Sequence, residues 1–486
     1  MAQEIMVAGA IYEDVPSVRL PDSNGVFHPF TDTSDTTAVA ADVAQGKTFH
    51  LADGSAATGT AAGATLVTKS ITANGTYSAE DDDADGYSEV TVNVSGGGGG
   101  GGVDPKDVNF IDYDGSIVHS YTAAEFAALT AMPDNPTHDG LVAQGWNWTL
   151  ADAQERVADT GMLVVGQMYV TASGATEIDF ELFGGRLSPT LAICVNGAVE
   201  IDWGDGSATD TLTGSSSYTV VGKAHTYPRE GRYTISVAVT SGEMCIYGNR
   251  YYYCRLLSNG TANTVYDNQL YGNSITAVRL GNGCRLYDYA FSYAYGIETV
   301  TLPEGLRDFN VESFRNCRSL KALTLPSATR DISLGTNLCM GCFALRAVSL
   351  PKNVTDGAGY TFSGCQSLSL VDMHAGRTYN YEYNETGVEV ASFPTGCTRI
   401  GSTTFVAASK FRKVVVPTSV TTIDGSAFQS VGLEEIHFKR TTPPTSASSS
   451  WGIPTDCKIY VPAGTLSAYT SATNYPDPNT YTYVEE

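Results

Sequence analysis

Apolar residues in the second half of the chain follow one recurring pattern: an apolar opening residue, then further apolar residues three and five positions later. The openings are Ile275, Ile297, Leu320, Leu345, Leu368, Val388, Phe411 and Leu433, at spacings of 22, 23, 25, 23, 20, 23 and 22 residues. A unit of this length makes a short strand whose apolar face only a neighbouring unit can cover, so the pattern predicts a stacked solenoid over 275–457.

Other positions keep the same register. Proline follows the strand at Pro303, Pro326, Pro351, Pro394 and Pro417, where a residue without a backbone N–H ends pairing. In the second half of each unit an aromatic recurs at Phe291, Phe314, Phe362, Phe405 and Phe428, five residues after Leu286, Phe309, Gly357, Ile400 and Ile423. Cys339, preceded by Leu334, fills the same slot. A second strand is expected to close each unit.

The fifth unit departs from the pattern at HAGRTYNYEYNETG, where the aromatic and its apolar partner look absent. Alternation of Tyr379, Tyr381 and Tyr383 predicts that the three project from one face, with Asn380 and Asn384 beside them. Tyrosine offers contact area with few rotors and asparagine offers adaptable hydrogen bonds, so these five residues are the candidate binding site. The other reading is a strand whose tyrosines pack on the neighbouring repeat. The outward strand positions, Arg279, Thr301, Thr324, Ser349, Asp372, Ser392, Val415 and His437, read as a small, bland polar face.

Upstream the patterning changes. Residues 103–174 carry two helical stretches, TAAEFAALTAM and TLADAQERVADTG, the first with capping-box spacing at Thr122, and predict a small α+β domain. Trp146 and Trp148 alternate, which predicts one in a core and one exposed. Over 175–245, alternation in Tyr233, Ile235, Val237 and Val239 predicts a strand. Residues 246–274, with Tyr251, Tyr252 and Tyr253, are expected to cap the solenoid, and 458–486 to close it. Seven glycines at 96–102 form a flexible joint after strand-rich modules at 1–60 and 61–95. The fold class is mainly β and multidomain.

Charge then narrows the partners. With 28 basic and 52 acidic residues the net charge is −24, which repels a phosphate backbone and argues against nucleic acid. The amino terminus, MAQEIMVAGAIYEDVP, has no basic region before an apolar core, and no stretch is long and apolar enough to span a membrane, so neither export by the usual route nor membrane insertion is expected.

Chemistry is sparse. Cys317, Cys342 and Cys365 sit three residues after the aromatic slot, where other units carry Ala294, Ala408 or Val431, and read as small buried side chains. Cys339 and Cys342 have half a zinc spacing, but no second pair follows, and no metal or cofactor is expected. Asp81, Asp83, Asp85 and Gly86 mimic the start of a calcium loop, yet its twelfth position is Val92, so a solvated acidic turn is expected. No phosphate loop, nucleophile elbow or metalloprotease helix appears, and no catalytic residue is assigned.

Several stretches resemble known families. FRKVVVPTSVTTIDGSAFQSVG is similar to the BspA-like subclass of leucine-rich repeats, and KIYVPAGTLSAYTSA resembles the segment that closes such arrays. VEIDWGDGSATD with HTYPREGRYTISVAV resembles a PKD domain, an immunoglobulin-like sandwich. That resemblance implies a core Trp203, a turn at Gly204-Asp205-Gly206, a strand opened by His225 and Tyr227, and a spacer role. TAVAADVAQGKTFHLADGSAATGT and the phrase ending in the glycine run resemble tail fibre proteins of phages of Gram-positive hosts. This resemblance implies attachment of 1–60 to a baseplate or tail-tip protein, a homotrimer made in the host cytoplasm and carried on the virion, and recognition of a host-surface glycan or protein receptor by the solenoid. The alternatives are a bacterial or prophage-encoded adhesin and a polysaccharide-degrading fibre, which would need two carboxylates across a sugar bond.

Overall fold

The computed structural model describes strands within residues 5–92, and then residues 103–486 apart from 249–253, 259–270, 307–310, 328–330, 377, 379, 431 and 449–450. The glycine joint, Asp81, Asp83, Asp85 and Tyr251 to Tyr253 lie outside the described residues. Two compact units are present, Met1–Ser95 and Gly96–Glu486. The first contains β1 (Ile5–Val7), β2 (Ala10–Tyr12), β3 (Val18–Pro21), β4 (Phe27–Phe30), β5 (Thr48–His50), β6 (Ala56–Thr58), β7 (Leu66–Ile71) and β8 (Gly86–Val92). These pair successively, antiparallel except for the parallel β7 and β8.

The second unit begins with a four-stranded sheet in the order β10-β9-β12-β11, built from β9 (Val108–Ile111), β10 (Ile117–Tyr121), β11 (Leu141–Trp146) and β12 (Leu163–Thr171). Helix α1 (Ala123–Ala127) starts at a complete Thr122–Glu125 capping box, and α2 (Leu150–Thr160) starts at Thr149 and stops at Gly161 in the left-handed conformation. Helix α1 is shorter than its sequence pattern, ending at Ala127 with Ala128 as its C-cap. Both tryptophans are buried, contrary to the alternation. The Trp146 indole donates to Pro133 O within the domain, whereas the Trp148 indole donates to Leu350 O of the solenoid, so the predicted solvent-facing ring is covered by a different part of the chain.

Next come β13 (Thr176–Leu182), β14 (Thr190–Asp202), β15 (Asp210–Ala224) and β16 (Gly231–Ile246), hydrogen-bonded in the order β15-β14-β16-β13. Trp203 is fully buried, stacked on His225 at 4.6 Å, and its indole donates to Asp210. Gly204 and Gly206 turn the chain with φ of +73° and +82°, and a Cβ on Gly204 would stand 2.2 Å from Thr234 O. Asp202 and Asp205 accept backbone N–H groups of that turn, and Asp205 also holds His225 at 2.8 Å. His225 and Tyr227 precede β16 rather than opening it. Nor do β13–β16 stand apart as a spacer: β13 pairs directly with the first solenoid strand, and one hydrophobic core runs from Ile178 to Tyr475. The sheet itself therefore caps the exposed first repeat.

The solenoid stacks two rows of short strands. After β17 (Leu257–Ser258), the main row is β18 (Ile275–Arg279), β20 (Thr299–Thr301), β21 (Ala322–Thr324), β23 (Ala347–Ser349), β25 (Leu370–Val371), β26 (Val390–Ser392), β28 (Lys413–Val416), β30 (Glu435–Phe438), β32 (Lys458–Val461) and, beyond helix α3 (Leu466–Thr470), β33 (Thr482–Glu485). The second row is β19 (Cys284–Leu286), β22 (Ile332–Ser333), β24 (Val354–Asp356), β27 (Arg399–Ile400), β29 (Thr422–Ile423) and β31 (Thr445–Ser446). Within each row the paired neighbours run parallel, as repeat stacking requires. Among the described residues no helix is long and apolar enough to cross a membrane.

Candidate functional site

The aromatic slot of the fifth repeat is filled after all. Tyr383 is fully buried between Phe362 and Phe405, with ring centroids 5.4 and 5.7 Å away. Its N–H donates to Thr404 O, just as the Phe362 N–H donates to Glu382 O one repeat earlier. Thr378, also buried, takes the place of the apolar partner five residues before. The segment is a turn laddered onto its neighbours rather than a strand, with Tyr381 and Glu385 in the left-handed conformation, so alternation does not set one face. Asn384 is buried with Tyr383, Asn380 is exposed, and Tyr379 lies outside the described residues. Tyr381 is half-buried and stacks on Tyr360 at 5.0 Å with their planes 10° apart.

Why the fifth repeat looks irregular follows from one buried pair. His374 occupies the proline slot and bonds Glu382 at 2.9 Å, both side chains being fully enclosed. A Cβ on Gly357 would meet the Glu382 carboxylate at 2.2 Å. Glycine in the apolar slot of the fourth repeat is therefore the space that the carboxylate needs, a signal present in the sequence but meaningless without its partner.

The bland outward face also has a structural reason. Thr301, Thr324, Ser349 and Asp372 are buried, the last three beneath residues of the 103–174 domain. Asn147 donates to Leu325 O and to Ser349 Oγ, Ser349 Oγ donates to Val164 O, and the Val164 N–H donates to Asp372. Arg156 donates to Met373 O, Lys352 pairs with Asp152 and Glu155, and Asp159 accepts from Thr395. Small solenoid side chains let β12 lie close, with Gly166 directly over Thr324 and Ser349. Beyond β25 the face carries Val415, His437 and Tyr460, flanked by Lys413 and Glu435. His437 stacks on Tyr460 at 4.3 Å and is held by Glu435 and Glu486, each at 2.9 Å.

The acidic groups Asp112, Glu177 and Asp179 are engaged in structure. A groove of about 480 Å³ is lined by Tyr113, His138, Glu177, Asp179 and Arg279 among others. Arg279 makes a two-pronged contact to Asp179 at 2.6 and 2.7 Å and a third bond to Glu177, while Asp112 accepts from the Tyr169 hydroxyl and bonds His138. All ten cysteines are buried and unpaired. The thiols of Cys317, Cys342 and Cys365 donate to the carbonyls of Phe291, Phe314 and Cys339, so each closes a contact to the preceding aromatic slot as well as filling space. Cys339 and Cys342 are thus placed by repeat register.

With this geometry in place, the sequence profile of the BspA type leucine rich repeat region matches in six copies, over residues 246–337, 284–384 and 332–446. These are BspA-type leucine-rich repeats. No curated protein matches the chain. Among solved structures, a leucine-rich repeat protein from Bacteroides ovatus is 14% identical, covers 44% of this chain and 85% of its own, and has a TM-score of 0.22. A leucine rich cell surface protein from Faecalibacterium prausnitzii is 19% identical, covers 45% of this chain and 76% of its own, and has a TM-score of 0.23.

Proposed function

We propose that this chain is the receptor-binding protein of a phage tail fibre, attached to the virion by residues 1–60 and recognising a host-surface receptor through its BspA-type repeats. The observation that carries the binding role is the stacked pair Tyr360 and Tyr381 on the repeat edge. Both are left-handed non-glycine residues, and the same slot elsewhere holds Tyr289, Glu312, Asn337, Thr403 and Ser426, so the fold requires the conformation but not the ring. Tyr360 keeps 40% of its surface exposed. Two adjacent rings on a rigid array, beside exposed Asn380, have the character of an interface anchor. The assignment to a fibre rests on the amino-terminal phrases and the glycine run. On this reading 175–245 is a PKD-like element, the assembly is a homotrimer, and the activity is binding rather than catalysis.

A fragment of residues 103–486 should bind host cells and block adsorption of the parent phage, while 1–95 should do neither. The fragment must include 103–174, since that domain packs on the repeats. Replacing Tyr360 and Tyr381 by Ala should weaken adsorption in a folded protein; unchanged binding would remove the site. Cellular adhesins could use the same array, and finding the chain in bacterial surface fractions but not in purified virions would decide for one.

A further inference from the structure

On another edge of the array, two residues before the openings of the second to fourth repeats, stand Tyr295, Arg318 and Phe343. The Arg318 guanidinium lies 4.4 Å from the centroid of Tyr295 and 5.4 Å from that of Phe343, so it is held between two rings, one on the rung to either side. Stacking engages only the faces of a guanidinium. Its in-plane N–H groups stay available, and among the described residues the Arg318 side chain has no hydrogen-bond or carboxylate partner. Phe343 is 41% exposed, which no packing need explains. Neighbouring Arg315 lies over Tyr293 at 5.5 Å. Nearby cations on this edge are already compensated, Arg315 by Glu312 at 2.9 Å and Lys321 by Glu298 at 2.7 Å, which leaves the Arg318 charge without a carboxylate among the described residues.

We propose that this ring–guanidinium–ring rung binds a sugar unit carrying one anionic group, a carboxylate or a phosphate. The in-plane fork of Arg318 takes the anion in the geometry that suits arginine better than lysine. The exposed Phe343 ring takes the C–H face of the pyranose, because the negative ring face attracts the weakly positive hydrogens. A single anion on an otherwise neutral sugar fits the one uncompensated guanidinium, whereas a dense polyanion such as nucleic acid would meet the repulsion of a chain of net charge −24. The proposal names a ligand class for the receptor-binding reading above and rests on it for its biological context, but not for its test.

Full-length protein is titrated by calorimetry and ligand-observed NMR with glucuronic acid, glucose 1-phosphate and glucose. At least one anionic sugar should bind tenfold or more tightly than glucose, and whichever of the two does so identifies the anion. Arg318→Ala, Arg318→Lys and Phe343→Ala should each lose that preference without lowering the unfolding midpoint, since none of these side chains is buried in the core. Equal affinity for glucose and both anionic sugars, or wild-type binding by Arg318→Ala, would overturn the proposal, as would a preference for a single-stranded oligonucleotide over either anionic sugar. If 103–486 blocks adsorption while Arg318→Ala keeps sugar binding, the site is wrong and the receptor-binding reading stands. Sugar binding without adsorption blocking is the converse.

Discussion

Replacing Gly166 by Ala should loosen the 103–174 domain from the repeats. Gly166 sits within β12 in ordinary extended backbone, so alanine brings no conformational strain of its own. The added Cβ would stand 2.2 Å from Thr324 Oγ1, 2.5 Å from Thr324 Cγ2 and 2.8 Å from Ser349 Cβ. Carbon contacts prefer roughly 3.5–4.0 Å, so three neighbours must retreat by about 1 Å, and because both branches of Thr324 are involved, rotating that side chain cannot clear them all. Overpacking of this kind costs about 1–3 kcal/mol, and a retreat of β12 would also stretch the Asn147, Ser349 and Asp372 hydrogen bonds. Thr324→Ala alone should be nearly neutral, because its Oγ1 is buried without a partner and its removal offsets the lost methyl. The double variant should recover part of the loss, about 1 kcal/mol of coupling. Urea unfolding of the four proteins, with hydrogen exchange at Val164 and Gly166, measures this. If Gly166→Ala unfolds within about 0.5 kcal/mol of wild type and exchanges no faster, close approach of β12 is not what holds the domain.

Tyr383→Phe should be neutral or slightly stabilising, because the hydroxyl is buried and unpartnered, while Tyr383→Ala should cost about 3–5 kcal/mol in thermal or chemical unfolding. In the native protein the ten thiols should resist a thiol reagent at pH 8 and all react on unfolding, since burial pushes Cys254, Cys284 and Cys397 up to about 12. Burial also raises Asp372 to about 7, against the Val164 N–H and Arg156, which favour its anion. The folded state then keeps a proton that the unfolded chain releases near its usual acidic value, so stability should fall as pH rises from about 4 through about 7 and level off above, by about 4 kcal/mol in order of magnitude. Asp372→Asn, compared with wild type in unfolding midpoints across that range, should flatten the decline; an unchanged slope would assign it to other groups.

Sequence alone determined the repeat, because inward positions are a property of each unit: Leu320, Phe314 and Cys317 face the core whatever else the chain does, and the period places them without knowledge of their neighbours. It also determined the Thr122 capping box and the turn at Gly204 and Gly206, whose bonds close within a few residues. Tertiary structure decided what lies outward. Asn147 meets Ser349 across 202 residues, and Trp148 meets Leu350 across the same interval; no local period records such a pairing, so the covered half of the strand face looked merely bland. Tyr383 shows the same limit from the opposite side. Its spacing from Phe362 and Phe405, 21 and 22 residues, already fits the aromatic slot, but a run of alternating tyrosines is compatible with a strand until the N–H to Thr404 fixes it as a turn. Glycine at 357 likewise becomes intelligible only when the Glu382 carboxylate occupies the space beside it. Periodicity reports which side of the chain seeks cover, and only the contacts between distant segments decide what provides it.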